Sequence, residues 1–127
     1  MDTQVLDRPR VTVETPVPLA PTKLWVDDRK DPSNTAVLYG LEPDGWEWVT
    51  SADQAIEAIR ATEYSVIALD HDLGPDGNGE DVLRAMVPLY ATGTEIDRVL
   101  PEMYFISAWH DHNRNMEALW AYVVSGR

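Results

Sequence analysis

Apolar positions along the 127-residue chain fall into two rhythms. Short dense runs read as strands: KLWV at 23–26, WEWVT at 46–50, YSVIALD at 64–70 and PEMYFISA at 101–108. The third is nearly continuous, as in a strand buried on both faces, while WEWVT alternates large and polar residues. Between and after them the period lengthens. Ile56 and Ile59 form one stripe, Val82, Leu83, Met86 and Val87 another, and Met116, Leu119, Trp120, Val123 and Val124 a third. The last set falls at i, i+3, i+4, i+7 and i+8 and is the clearest helix signal in the chain.

Punctuation sets the boundaries. Ser51 with Gln54 has capping-box spacing and opens the first helix. Pro88 is expected to kink or end the second, with Gly93 beyond it. Asp111 or Asn113 is expected to cap the last. Residues 29–45 carry Pro32, Asn34, Gly40, Pro43 and Asp44-Gly45 and read mostly as loop, with AVLYGL pairing briefly as a strand. Residues 1–22 read as an arm punctuated by four prolines, in which RVTVET supplies a short added edge strand. Residues 23–127 make the domain.

Strands alternating with helices imply right-handed crossovers and an α/β fold, a mostly parallel sheet with helices on both faces in a three-layer sandwich. Ligands bind outside the carboxyl ends of the strands in such sheets. Each polar cluster of note lies at such an end: Asp27-Asp28 after the first strand, Asp70-His71-Asp72 after the third, and Ser107 after the last.

Composition narrows the functions. The length suits one domain. A net charge of −12 argues against a protein that tracks duplex DNA along its phosphates, which needs a basic footprint. It leaves room for a phosphate pocket, because a divalent cation inverts local charge logic. Without cysteine there is no disulfide, thiolate metal site or cysteine nucleophile. No apolar run is long enough for a membrane span and MDTQVLDRPR does not read as a signal peptide, so the expected location is cytoplasmic.

Carboxylates crowded at one rim repel each other, and a hard divalent cation resolves the conflict. Mg2+ (or Mn2+) takes oxygen ligands, typically one or two carboxylates plus a phosphate. Asp28 and Asp70 are the expected direct ligands, with Asp27 holding a metal-bound water and Asp72 assisting. Ser107 can donate to a phosphoryl oxygen. His110 and His112 are candidate proton-transfer groups, and their HxH spacing is also open to a transition metal. His71, between two aspartates, reads as structural. Asn113 and Arg114 reach a phosphate or only start the helix, and Trp109 is the tryptophan placed to stack on a base or sugar. Asp76, Gly77, Asn78 and Gly79 read as turn chemistry, and Asp44 and Asp81 as solvated turn or helix-start residues.

The double aspartate after strand one, the aspartate after strand three and the later serine resemble the receiver domain of two-component response regulators. That resemblance implies a flavodoxin-like fold, a magnesium site at Asp27, Asp28 and Asp70, and a phosphate contact from Ser107. The sequence departs from it in three ways. It has no lysine after a fifth strand, Lys23 and Lys30 being its only lysines. No fifth strand and helix follow the last helix, so the domain is truncated relative to a full receiver. A proline- and glycine-rich loop replaces the first helix.

WVDDRKDP, WEWVTS, LDHDLGPDGNG and ISAWHDHNRNM more closely resemble the receiver-like family named for predicted cyclic-phosphate processing, over about residues 23–120. Ile106 stands where that family often has a histidine before the serine, and His110 or His112 is the expected substitute. The resemblance implies a metal-dependent domain that binds or hydrolyses a cyclic or terminal phosphate on a small molecule or RNA end, in RNA repair or conflict systems including those of phages. The expected catalytic set is Asp70, Asp72, Ser107, His110 and His112. The alternative is a non-catalytic acidic module that binds a protein partner, such as a host protein met by a phage-encoded chain, through its charged surface.

Overall fold

A computed structural model describes residues 22–91 and 98–125. Four short parallel strands form one sheet: β1 (Lys23–Val26), β2 (Trp46–Val49), β3 (Val66–Leu69) and β4 (Glu102–Phe105), in the order β2-β1-β3-β4. The helices are α1 (Pro32–Thr35), running into a 3-10 turn over Ala36–Tyr39, then α2 (Ala52–Ala61), α3 (Gly79–Tyr90) and α4 (His110–Val123). This is the receiver-like α/β architecture.

Side chains on a strand alternate between faces, and the two faces here carry different loads. Leu24, Val26, Ile67 and Leu69 pack with Ala55 and Ile59 of α2, Val82, Leu83 and Met86 of α3, and Met116 and Val123 of α4. The three long helices therefore cover one face. Trp25, Ala68 and Ile106 face the other way, where Ala36 and the partly buried Tyr39, Leu41, Trp46 and Tyr104 cover them. Among the described residues the third layer is reduced to the Pro32–Tyr39 segment and a set of aromatic contacts, with Trp25 edge-on to Trp46 at 5.3 Å.

The crossover from β1 to β2 runs over the aromatic face, and those from β2 to β3 and β3 to β4 run the other way over the helical face. The chain thus reverses direction between β1 and β3, which opens a crevice at their carboxyl ends.

Local sequence explains most boundaries. Ser51 caps α2 by accepting the Gln54 N–H, while the Gln54 side chain accepts from Thr50 rather than from Ser51. Asn78 and Asp81 form a reciprocal capping box on α3, so Asp81 is part of the helix start. Gly79 sits there because a Cβ would overlap the Asp70 carbonyl and Met116 Sδ.

Three expectations meet a different outcome, and a fourth is not tested. AVLYGL does not pair as a strand; it forms the 3-10 turn, because Asp31 caps and Pro32 starts a short helix just before it. Pro88 does not end α3, which continues to Tyr90 with the Ala91 N–H still reaching the Val87 carbonyl. Neither Asp111 nor Asn113 caps α4, which begins after Trp109 with no side-chain cap. The arm with RVTVET and the glycine at 93 lie outside the described residues.

Candidate metal and phosphate site

The sheet register carries β1, β3 and β4 to one level. Val26 lies opposite Leu69, and Leu69 opposite Phe105. One residue on, the Asp70 N–H bonds to the Val26 carbonyl at 2.9 Å and the Ile106 N–H to the Leu69 carbonyl at 3.0 Å. Asp27, Asp70 and Ile106 thus stand side by side where the strands stop. They share the parity of Trp25, Ala68 and Tyr104, so they open toward the thinly covered face.

The first carboxylate is locked by its own loop. Asp27 Oδ1 accepts the N–H groups of Arg29 and Lys30 at 2.9 Å each, and the Trp48 indole donates to the Asp27 carbonyl. Asp27 is 1% exposed, and its Oδ2 is buried without a hydrogen-bond partner. Its compensating contact is an ion pair with Lys30 Nζ at 3.5 Å. Lys30 Nζ also donates to the Ile106 carbonyl, as does the Tyr39 hydroxyl, and Trp25 donates to the Lys30 carbonyl. The β1 loop and the β4 end are tied together at this point.

Asp70 is 7% exposed. Its Oδ1 accepts the His71 N–H at 2.8 Å. Burial, then the neighbouring Asp27 charge, push its carboxyl up to about 6, against the opposing pull of the His71 N–H and Lys30. One oxygen from each of Asp27, Asp28 and Asp70 lies within 4.8 Å of the others. A buried carboxylate oxygen with no hydrogen bond, beside a second carboxyl resisting ionisation, is a setting whose charge a bound cation would offset. An all-oxygen donor set suits a hard divalent ion such as Mg2+.

The cleft holds about 210 Å³ and is lined by Asp27, Arg29, Lys30, Asp70, Asp72, Ser107, Ala108 and Trp109. Ser107 is held from an unforeseen direction. The Asn113 side chain reaches back from α4, accepting the Ser107 N–H and donating to the Ser107 carbonyl, each at 2.9 Å. Ser107 Oγ accepts the Trp109 N–H, and the Trp109 side chain stands 65% exposed at the rim.

The histidines separate. His110 is exposed in the first turn of α4 and is not among the residues lining the cleft. His112 stacks on His71 with ring centroids 3.9 Å apart. His71 in turn lies between Asp72 and Glu80, with Nδ1 at 3.2 Å and Nε2 at 3.0 Å from their carboxylates. Arg114 pairs with Asp111 on the exposed side of α4.

Sequence reasoning missed the parts played by Lys30 and Asn113. For Lys30 the signal was present, a cation three residues past the first aspartate in DDRKDP. For Asn113 the signal was its place after the serine in ISAWHDHNRNM, but its bonds depend on how α4 leaves the sheet.

Among the described residues no helix is long and apolar enough to cross a membrane. No curated protein matches the chain. The family model described as the cyclic-phosphate processing receiver domain matches residues 22–121.

Proposed function

The chain belongs to the cyclic-phosphate processing receiver domain family, and from that premise we propose that it binds a divalent cation at Asp27, Asp28 and Asp70 and hydrolyses a cyclic or terminal phosphoester in the adjoining cleft. The observation that carries this reading is the buried Oδ2 of Asp27, which has no hydrogen bond and only a 3.5 Å ion pair with Lys30, beside Asp70 and Asp28 at the switch point of a parallel sheet. Bound there, Mg2+ or Mn2+ would offset the carboxylate charge and polarise a phosphoryl oxygen.

The other roles follow from what lines the cleft. Arg29 and Lys30 supply cationic groups for the phosphate in a protein of net charge −12. Ser107, fixed by Asn113, orients the phosphoryl group through its hydroxyl. Asp72 is the carboxylate for proton transfer, backed by His71 at 3.2 Å. It takes a proton as water adds to phosphorus, and the proton goes to the leaving alkoxide as the P–O ester bond breaks. A cyclic diester then yields one phosphomonoester and one free hydroxyl, and a terminal monoester yields inorganic phosphate and one free hydroxyl. His112 acts only through His71, and His110 is left without a part. At about 210 Å³ the cleft admits the phosphate end of a ligand and leaves a base or sugar to lie on Trp109.

Calorimetric titration of Mg2+ and Mn2+ into the wild type and Asp70→Ala tests the site, followed by 31P NMR of a nucleoside 2′,3′-cyclic phosphate with and without chelator. The expected outcome is loss of affinity on the order of 100-fold or more in Asp70→Ala, since even outer-shell partners of metal ligands are worth about 10–100-fold. Cleavage should stop with chelator. Cleavage indifferent to chelator would overturn the metal-dependent reading. No binding at millimolar metal would leave the non-catalytic acidic module as the better account.

A further inference from the structure

Beside the acidic cleft, and separate from its three carboxylates, the β3 turn and α4 bring two imidazoles and a carboxylate together. We propose that His71, Asp72 and His112 form a second metal site, one that takes a zinc-class transition ion rather than Mg2+. One donor atom from each of the three lies within 4.8 Å of the others. Two nitrogens and one oxygen are a donor set for Zn2+, Co2+ or Ni2+, whereas Mg2+ prefers oxygen alone.

Three further observations point to a ligand. First, His112 Nδ1 is buried and has no hydrogen-bond partner. A buried ring nitrogen is normally satisfied, and this one lies on a ring stacked at 3.9 Å and 25° against a second imidazole. Second, His71 has the outer-shell partner that metal-bound histidines use. Its Nε2 lies 3.0 Å from Glu80, which Arg84 holds from the other side at 3.3 Å. Third, His71 Nδ1 lies 3.2 Å from an Asp72 oxygen, so two of the three donors already border one point in space. A histidine that simply bridges the two carboxylates would give the same distances, and that is the arrangement the experiment must exclude.

The HxH pair has no such geometry. Residues two apart on a helix point to different faces, so His110 faces solvent while His112 turns inward. His112 therefore finds its partner on another element. The Asp72 side chain is 61% exposed, which leaves an open side for water or an anion, as in catalytic rather than structural zinc sites. Asp72 also lines the acidic cleft, so an ion held here borders the same ligand space, and Asp72 serves as the proton carrier there only while that ion is absent.

The test is a Co2+ titration of protein free of any histidine tag, in excess Mg2+, followed by visible absorption and then by Zn2+ competition. Wild type and Asp70→Ala should both give the intense visible bands of low-coordinate Co2+, and Zn2+ should bleach them. His112→Ala should abolish them while keeping Mg2+ affinity and the circular dichroism spectrum. Glu80→Gln should weaken Co2+ about 10–100-fold. Bands that survive in His112→Ala, or wild-type spectra no different from aqueous Co2+, would overturn the proposal. Should His112→Ala fail to fold, ring resonances of the wild type decide. Zn2+ must shift the His71 and His112 imidazole signals and leave those of His110 in place; no shift overturns it equally. Loss of Mg2+ binding in Asp70→Ala with the Co2+ bands retained keeps this outcome apart from that of the acidic site.

Discussion

Two regions meet at the cleft and are held by different means. The acidic side, Asp27 and Asp70, sits on adjacent strand ends whose positions follow from the ladder itself, Val26 opposite Leu69 and the Asp70 N–H on the Val26 carbonyl. The other side, Ser107 to Trp109, lies past the last ladder bond and is held by one side chain, Asn113. Backbone register therefore builds the carboxylate half, and a single amide builds the serine half. The first half tolerates local change but stores charge repulsion. The second stores none and depends on one residue.

The largest effect should come from relieving that repulsion. Burial and Asp27 raise Asp70 from 3.8 to about 6, so the folded chain holds a proton that the unfolded chain releases earlier. The resulting stabilisation is complete below pH 3.8 and lost as pH rises through about 6. Without metal, the group leaves the wild type weaker at pH 7 by up to about 3 kcal/mol, at 1.36 kcal/mol for each of about two pKa units. Asp70→Asn keeps an acceptor for the His71 N–H and removes the charge. Urea denaturation with chelator should find the variant more stable by up to that amount at pH 7, with the gap closing toward pH 3.8. Saturating Mg2+ should erase the advantage by stabilising the wild type alone. A gap that does not change with pH would show that Asp70 carries no stored repulsion.

The same contrast explains what the sequence disclosed. Residues whose placement follows from strand ends were legible. KLWV running into Asp27-Asp28 and YSVIALD running into Asp70 are enough, with the parallel-sheet rule, to predict that these carboxylates converge. The helical faces were legible too, because Val82, Leu83 and Met86, or Met116 and Val123, repeat at a period only a packed helix explains. Capping was legible where a short polar side chain bonds within its own turn, as at Ser51. Pro32–Tyr39 was not, since four-residue elements carry no period and Asp31-Pro32 reads equally as a turn. The pairing of His112 with His71 was not legible either. Forty-one residues separate them, and only the angle of α4 against the β3 turn stacks the rings.

Asn113→Ala should have the next largest effect. It strips partners from both the N–H and the carbonyl of Ser107, a residue 5% exposed. Leaving such groups unsatisfied costs about 1–3 kcal/mol, read as a lower denaturation midpoint at unchanged slope. Mg2+ affinity should stay within about twofold, because no Asn113 atom bonds to Asp27 or Asp70 and sites without shared partners act nearly independently. A parallel loss of Mg2+ binding would mean the two halves form one cooperative unit, and the division into register and amide would fall.

The smallest effect is the most discriminating for chemistry. His110 and His112 were equivalent in the sequence, both candidate proton carriers after the last strand. The structure gives them unlike surroundings, His110 exposed in the first turn of α4 and His112 stacked on the ring that backs Asp72. His110→Ala removes a solvent-facing side chain, and such changes usually move stability by no more than about 0.5 kcal/mol. It should leave both the Mg2+ isotherm and any metal-dependent phosphoester cleavage unchanged. His112→Ala should lower cleavage by removing the stacked support behind His71 and Asp72, the proposed proton carrier, while Mg2+ affinity holds. The opposite order of effects on cleavage would transfer the proton-moving role from the Asp72 side of the cleft to the exposed turn of α4.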